Sequence, residues 1–323
     1  MTENMNNMDM INTKDIIFKE YNLESLTELD KFFKLRKCHS TQGNKFDVYI
    51  WHELSKTQYA VVDDKILFII YGDKKEHAYI PFCSEEDLPF AVELLRKYFN
   101  ETYNQKLKIN YVDEYSLEVL KNANALDLYE VTELPEYADY IYDGESLRTL
   151  AGRKLSRKRN YIHRFLKEYD GRYEYKKLTM QDKDAVLYLY RKWLKEHIET
   201  GIEYDGLYKA MLKCEEDFVE EIFTEEKLFN ELIIGGIFID NKLAAFSIGS
   251  YDEMTKQALI LIEKADRDIV GLYPMINQQF LINEFKEAVT INREDASGIE
   301  ELKQAKEQYF PIKLEKKFLI KEK

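Results

Sequence analysis

The stretch AGRKLSRKRNYIHRFLKEY, Ala151 to Tyr169, places Arg153, Lys154, Arg157, Lys158, Arg159, Arg164 and Lys167 close together in a chain whose formal net charge is -13. From Arg148 to Lys177, eleven Lys or Arg stand against three acids. The overall acidity argues against broad, nonspecific binding to nucleic acid, because the summed charge repels phosphate. It leaves room for one local anion site. If Gly152 to Lys167 is helical, then Arg153, Arg157, Asn160, Arg164 and Lys167 recur on one face, while Leu155, Ile162, Phe165 and Leu166 turn to a core. A tRNA backbone, the phosphates of a coenzyme or an anionic headgroup would each satisfy such a stripe. The competing reading is a solvated helix that pairs with acids such as the Glu215-Glu216-Asp217 run.

The elements that must carry these residues come from a repeat. INYVDEYSLEVLKNA (Ile109 to Ala123) and INREDASGIEELKQA (Ile291 to Ala305) agree without a gap at seven of fifteen positions, at an offset of 182. Both read as a strand end running into a helix. Each is preceded by a hairpin with turn-tolerant residues between β-branched runs, around Asp63-Asp64 and around Asp240-Asn241. Each hairpin is followed by a further strand (HAYIPF, QALILIE) and an amphipathic helix (LPFAVELLRKYF, GLYPMINQQFLINEF). Two runs of strand, strand, strand, helix, strand, helix, strand imply an α/β (α+β) tandem, each unit a mixed, mostly antiparallel sheet with helices on both faces. The boundary is placed near Gly144, giving units 12–144 and 145–323. DKDAVLYLYRKWLKEHI and EDFVEEIFTEEKLF are extra helices at the front of the second unit, where Trp193 and His197 share a face with Val186, Leu189 and Tyr190 and read as packing residues.

The copies differ where chemistry would be. Arg293 stands at the place of Tyr111, Glu294 of Val112, Gly298 of Ser116 and Lys306 of Asn124. Charge at a strand end must be exposed, paired or turned to a ligand, because burying it alone costs several kcal/mol. The second copy is therefore expected to be the active one and the first non-catalytic.

The remaining sequence sets limits. At 323 residues, 45% hydrophobic and 33% charged, the chain can bury a sizeable core. No run approaches eighteen apolar residues, and the opening MTENMNNMDMINTKD is polar, so neither a membrane span nor a signal peptide is expected and the cytoplasm is the expected location. Cys38, Cys83 and Cys214 lie far apart and are read as reduced thiols. No His or Cys pair has metal-ligand spacing, and no metal site is expected.

LIEKADRDIVGLYPMINQQF followed by VTINREDASGIEELKQAKEQYFP, together with RKLSRKRNYIHRF, resembles the C-terminal domain of bacterial phosphatidylglycerol lysyltransferases and its soluble uncharacterised relatives. The resemblance runs from about Gly43 to Phe318 and is tightest over Glu263–Phe280 and Asn292–Pro311. It implies a tandem of two GNAT-like acyltransferase units. The implied activity is direct transfer of an aminoacyl group from aminoacyl-tRNA, or an acyl group from coenzyme A, to an amine or hydroxyl of a small molecule, peptide or lipid headgroup. No tightly bound cofactor is implied, and the oligomeric state stays open. Unlike its membrane-bound relatives, this sequence carries no transmembrane part, which puts a lipid acceptor in question.

In a GNAT-like unit the donor phosphates sit at the start of the helix after the fourth strand, where free amides and the helix dipole favour an anion. Here that junction is EKADRDIVGLYP, with Gly271 permitting close backbone approach and Arg267 available to phosphate, while Tyr273 and Asn277 lie in the helix. Tyr273 replaces the next small residue of an acetyl-CoA loop, which favours aminoacyl-tRNA. Acyl transfer needs proton removal and oxyanion stabilisation. Glu263 or Asp295 are candidates for the proton, Lys306 or Arg293 for the oxyanion, and Asn292 and Tyr309 for orientation. Asp295 has the competing role of capping the next helix. Two alternatives remain: a non-catalytic module for a phosphate-bearing ligand, and an acyl-CoA-dependent N-acyltransferase.

Overall fold

The computed structural model describes residues 12–199 and 206–323; most of the polar opening lies outside them. The chain forms two compact units, one running to Asp139 and including Glu315–Lys323, the other Tyr140–Leu314. The expected 12–144 and 145–323 therefore shifts at both ends of the second unit, and the reason is strand pairing.

In the first unit β1 (Lys19–Glu20), β2 (Gln58–Val62), β3 (Ile66–Tyr71), β4 (His77–Ala78), β5 (Lys108–Asp113) and β6 (Tyr129–Glu133) come in chain order. β7 (Asp139–Asp143) follows directly but enters the second sheet, with β8 (Tyr173–Lys177), β9 (Ile233–Ile239), β10 (Lys242–Asp252), β11 (Gln257–Ala265), β12 (Thr290–Asn292) and β13 (Lys313–Glu315). The last strand, β14 (Lys317–Glu322), enters the first sheet. The sheet orders are β1-β2-β3-β4-β5-β14-β6 and β13-β7-β12-β11-β10-β9-β8. Each sheet thus takes the strand beside its β5 or β12 position from the tail of the other copy. Apart from this exchange, both copies keep the order expected from sequence.

The hairpin turns have the backbone their residues permit. Asp63 and Asp64 have φ of 51° and 54°, and Asp240 and Asn241 have 49° and 65°, the left-handed pair that a tight hairpin of matching twist requires. Between β4 and β5 lies α1 (Leu88–Tyr98), and α2 (Glu114–Asn122) follows β5. The second unit has α3 (Gly144–Thr149), α4 (Ser156–Glu168), α5 (Lys183–Ile198), α6 (Gly206–Ile222), α7 (Glu226–Glu231), α8 (Leu272–Glu284) and α9 (Glu300–Glu307). Each unit has its own apolar core, one around Phe68, Ile70, Leu95 and Ile109, the other around Ile237, Phe165, Phe280 and Ile291. No described helix is long and apolar enough to cross a membrane.

The repeat holds in register and departs in one place. Ala78 lies opposite Ile109 in parallel pairing, and Ala258 opposite Ile291, so Asn110 and Asn292 occupy equivalent strand positions. In the first copy Asp113 accepts from Ser116 N at 2.9 Å and starts α2 at once. In the second, residues 293–299 intervene, and Ile299 stands at the cap position of α9. Asp295 does not cap that helix: its Oδ1 accepts from Ser297 N at 2.7 Å and closes a local turn.

Candidate active site

β11 and β12 pair over three positions only, from Gln257 opposite Thr290 to Leu259 opposite Asn292. β11 then continues to Ala265 while the other strand ends. Asn292, buried, ends it by accepting from Glu294 N at 2.7 Å, and Glu294 takes a φ of 59°. Tyr140 N donates to Glu294 O and Arg293 N to Tyr140 O, each at 3.1 Å, which holds the diverging chain on β7. Glu263 and Arg293 bridge the opening. Arg293 NH2 lies 3.0 Å from Glu263 Oε1, with side chains 15% and 9% exposed.

Glu263 collects donors from three elements. Besides Arg293, its Oε2 accepts from Ser247 Oγ of β10 at 3.3 Å and Asn277 Nδ2 of α8 at 3.2 Å. The guanidinium of Arg293 lies 4.9 Å from the Tyr309 ring centre and 5.9 Å from that of Tyr142. Burial works against the Arg293 cation, but Glu263, helped by Tyr142 and Tyr309, outweighs it and holds its pKa above the ordinary value. Burial raises the pKa of the Tyr309 phenol. Two buried atoms of this cluster, Arg293 NH1 and Asn277 Oδ1, have no hydrogen-bond partner.

Lys158 joins the cluster from α4. It is 9% exposed, its Nζ lies 4.0 Å from the Tyr309 ring centre, and it donates to Gln308 Oε1 at 3.3 Å. Burial, then Arg293 and Arg157, push its pKa down to about 8, against an opposing pull from Glu263.

The polar face of α4 turns outward. Arg157, Asn160, Arg164 and Lys167 are exposed, as is Arg153, which precedes the helix because α4 begins at Ser156 and not at Gly152. Ile162 and Phe165 are buried. Among the described residues Arg153, Arg157 and Arg164 have no carboxylate partner; Arg157 NH2 reaches Tyr161 Oη at 3.4 Å. The acids proposed to neutralise them are engaged elsewhere: Glu215 with Lys264 at 2.6 Å, Glu216 with Arg191 at 2.7 Å and Asp217 with Lys213 at 2.6 Å. Arg159 turns back onto the carbonyl oxygens of Leu150 and Gly152.

Gly271 precedes α8 with φ 87°, and a Cβ there would lie 2.2 Å from the carbonyl oxygen of Tyr161. Only glycine lets α4 approach the start of α8 this closely. Arg267 is exposed in the loop before it. Tyr273 faces another network: its hydroxyl accepts from Trp193 Nε1 at 2.8 Å, and its pKa is pushed up to about 12, chiefly by burial. Trp193 stacks on His197 at 4.7 Å and carries the Lys264 ammonium 4.0 Å from a ring centre, so both residues pack as expected. Burial, with Arg267 and Lys264 nearby, lowers the pKa of His197.

The sequence candidates thus divide. Glu263, Asn277, Arg293, Tyr309 and Lys158 converge. Lys306 does not present its ammonium as an oxyanion donor; it donates to the carbonyl oxygens of Arg293 and Glu294, and Tyr142 Oη donates to Lys306 O at 2.9 Å. With Asn292 and Asp295 it shapes the 293–299 loop. Ser247, Tyr142 and Gln308 escaped the sequence reading. A hydroxyl side chain between Phe246 and Ile248 in the buried run AAFSIG is the one signal that could have drawn attention to Ser247.

The equivalent place in the first unit is built differently. Five residues beyond Ala78 stands Cys83 where Glu263 follows Ala258, and Tyr111 stands where Arg293 does. The buried Arg36 donates to the carbonyl oxygens of Cys83 at 2.9 Å and Pro81 at 3.0 Å.

Comparisons with known proteins bear on the fold and the family. An uncharacterised protein of Mycoplasmoides gallisepticum is 22% identical over 220 residues, 67% of this chain and 66% of its own length. A conserved protein of unknown function from Bacteroides thetaiotaomicron has the same fold at 26% identity, with a TM-score of 0.81 over 95% of this chain and all of its own. L-PGS from Bacillus licheniformis aligns at 12% identity and a TM-score of 0.62, covering 94% of this chain and 92% of that one. FemX aligns at 10% identity and a TM-score of 0.57, covering 94% and 96%. The fold is a tandem of GNAT-like units. Residues 35–321 match the family model for the C-terminal part of phosphatidylglycerol lysyltransferase, and the chain belongs to that family.

Proposed function

We propose that the second unit transfers an aminoacyl group from aminoacyl-tRNA to an amine or hydroxyl by direct attack, without a covalent enzyme intermediate. The observation that carries this reading is the buried Arg293, fixed by Glu263 and left with NH1 unpaired. A buried donor without a partner costs about 1 to 3 kcal/mol, and it regains that where an acceptor enters. The oxygen of an attacked carbonyl is such an acceptor, and it gains negative charge as the nucleophile adds. A donor held in advance by Glu263, under two tyrosine rings, needs little reorganisation at that moment. Glu263, with its oxygens already taken by three donors, serves to position Arg293.

The exposed Arg153, Arg157 and Arg164 suit the phosphates of a nucleic-acid donor, since no carboxylate among the described residues neutralises them. Asn160, Arg267 and the amides after Gly271 lie on the same unit and are candidates for further phosphate contacts. Arg36 and Tyr111 argue that the first unit has no equivalent chemistry. Acyl-CoA as donor is the second reading, favoured by the uncapped start of α8. The test supplies bulk tRNA charged with ¹⁴C-amino acids, or ¹⁴C-acetyl-CoA, together with free lysine or phosphatidylglycerol vesicles. Label should move from tRNA to an acceptor and fall at least a hundredfold in Arg293→Gln. Transfer from acetyl-CoA alone would select the second reading, and no transfer from either donor would leave a binding module.

A further inference from the structure

Lys158 differs from every other cation of the basic stretch. Arg157, Arg164 and Lys167 on the same helix point to solvent and Arg159 turns back onto backbone carbonyl oxygens, whereas Lys158 is buried and its ammonium lies against the Tyr309 ring, with Gln308 Oε1 at 3.3 Å. The charged groups that face it are Arg157 on its own helix, Arg293 beyond β12 and Glu263 on β11. Glu263 is already held by Arg293 at 3.0 Å, so the two arginines are left to act against a second cation. A phosphate-binding lysine would be exposed and charged, and this one is neither well placed nor well surrounded for that role.

We infer that Lys158 is the proton acceptor for the attacking nitrogen in the reaction proposed above. The inference rests on that reading. As the acceptor nitrogen bonds to the donor carbonyl carbon, its proton passes to the neutral Lys158 amine, and the carbonyl electron pair moves onto oxygen. On collapse the ester C–O bond breaks, and the leaving hydroxyl oxygen takes the proton back from the Lys158 ammonium. A thioester donor would give the proton to sulfur in the same way. No proton is gained or lost overall. The depressed pKa of about 8 leaves a useful neutral fraction near neutrality, where an exposed lysine has almost none.

The test compares wild type, Lys158→Arg and Lys158→Met. The donor is bulk ¹⁴C-aminoacyl-tRNA and the acceptor aminoacetonitrile, a weakly basic amine whose own titration lies below the range read. The wild-type rate should rise to a plateau with an inflection near pH 8. Both variants should lose about a hundredfold and lose that inflection, while binding of uncharged tRNA stays as in wild type. Arginine keeps the positive charge but cannot give up its proton, so an active Lys158→Arg variant would overturn the inference and leave the transferase reading intact. A wild type inactive with aminoacyl-tRNA and acetyl-CoA would overturn both. A readout independent of turnover is NMR titration of ¹³C-dimethylated lysines, with the Lys158 signal identified by its absence in Lys158→Arg. A midpoint near 8 supports the role, and one above 10 ends it.

Discussion

Lys317 Nζ and Asp139 Oδ1 form an ion pair at 2.6 Å in which neither side chain has any exposure to solvent. Thr41 completes it: its N donates to Asp139 Oδ2 at 2.7 Å, and Lys317 donates to its Oγ1 at 2.9 Å. Such a pair contributes little net stability, yet breaking it strands a buried charge. Lys317→Met is therefore expected to lose about 3 to 5 kcal/mol in denaturant unfolding, while Lys317→Met with Asp139→Asn recovers part of the loss. A single variant as stable as wild type would mean that water reaches the site.

Removing the charge of the outward face of α4 should alter binding and spare the fold. Arg153→Gln, Arg157→Gln and Arg164→Gln together keep length and polarity, and among the described residues none of these arginines has a carboxylate partner to lose. Affinity for bulk tRNA should drop at least tenfold. The slope of log affinity against log salt should flatten by about 0.7 to 0.9 for each phosphate contact removed. Unchanged affinity across a salt series would take this face out of the site.

Gly271→Ala tests the close approach of α4 to α8. The new methyl would meet the Tyr161 carbonyl oxygen at 2.2 Å and would sit on a residue of φ 87°. A loss of about 2 kcal/mol or more is expected in thermal or denaturant unfolding, because both the contact and the backbone are unfavourable. Gly152→Ala, also at positive φ but with open space around it, should lose less.

Lys158 has a signature in stability as well as in rate. Its folded pKa, about 8, lies below the ordinary 10.5, so folding disfavours the charged form. Below pH 8 both states are protonated and the penalty is fully present. Between about 8 and 10.5 the unfolded chain binds more protons, and this residue makes stability rise with pH. Lys158→Met should thus be more stable than wild type at neutral pH, with the gap closing towards pH 10.5. Parallel urea titrations at several pH values read the gap directly.

The repeat and the turns were legible because they rest on local chemistry. Asp63-Asp64 and Asp240-Asn241 tolerate left-handed backbone, and alternation around them marks strands. The charge gained at Arg293 was legible too, since a strand end rarely carries arginine without a use. Lys306 misled because a lysine that turns back onto carbonyl oxygens thirteen and twelve residues earlier has the same sequence appearance as one facing a ligand. Lys158 looked like one more cation in a basic run. Its inward turn depends on where Tyr309 and Gln308 arrive, 150 residues on, which no local pattern encodes. The strand exchange was hidden for a related reason: β7 and β14 hold the same place in the order of each copy, whichever sheet they join.

That exchange makes the first sheet wait for β14. β14 lies between β5 and β6, so a ribosome must deliver Lys317–Glu322 before the sheet begun at Lys19 has all its neighbours. In the second sheet the exchanged strand, β7, emerges ahead of all its partners, and only the edge strand β13 arrives as late as β14. During synthesis the first sheet thus keeps a gap at its centre, and β5 and β6 carry open hydrogen-bonding edges until Lys317–Glu322 has been made.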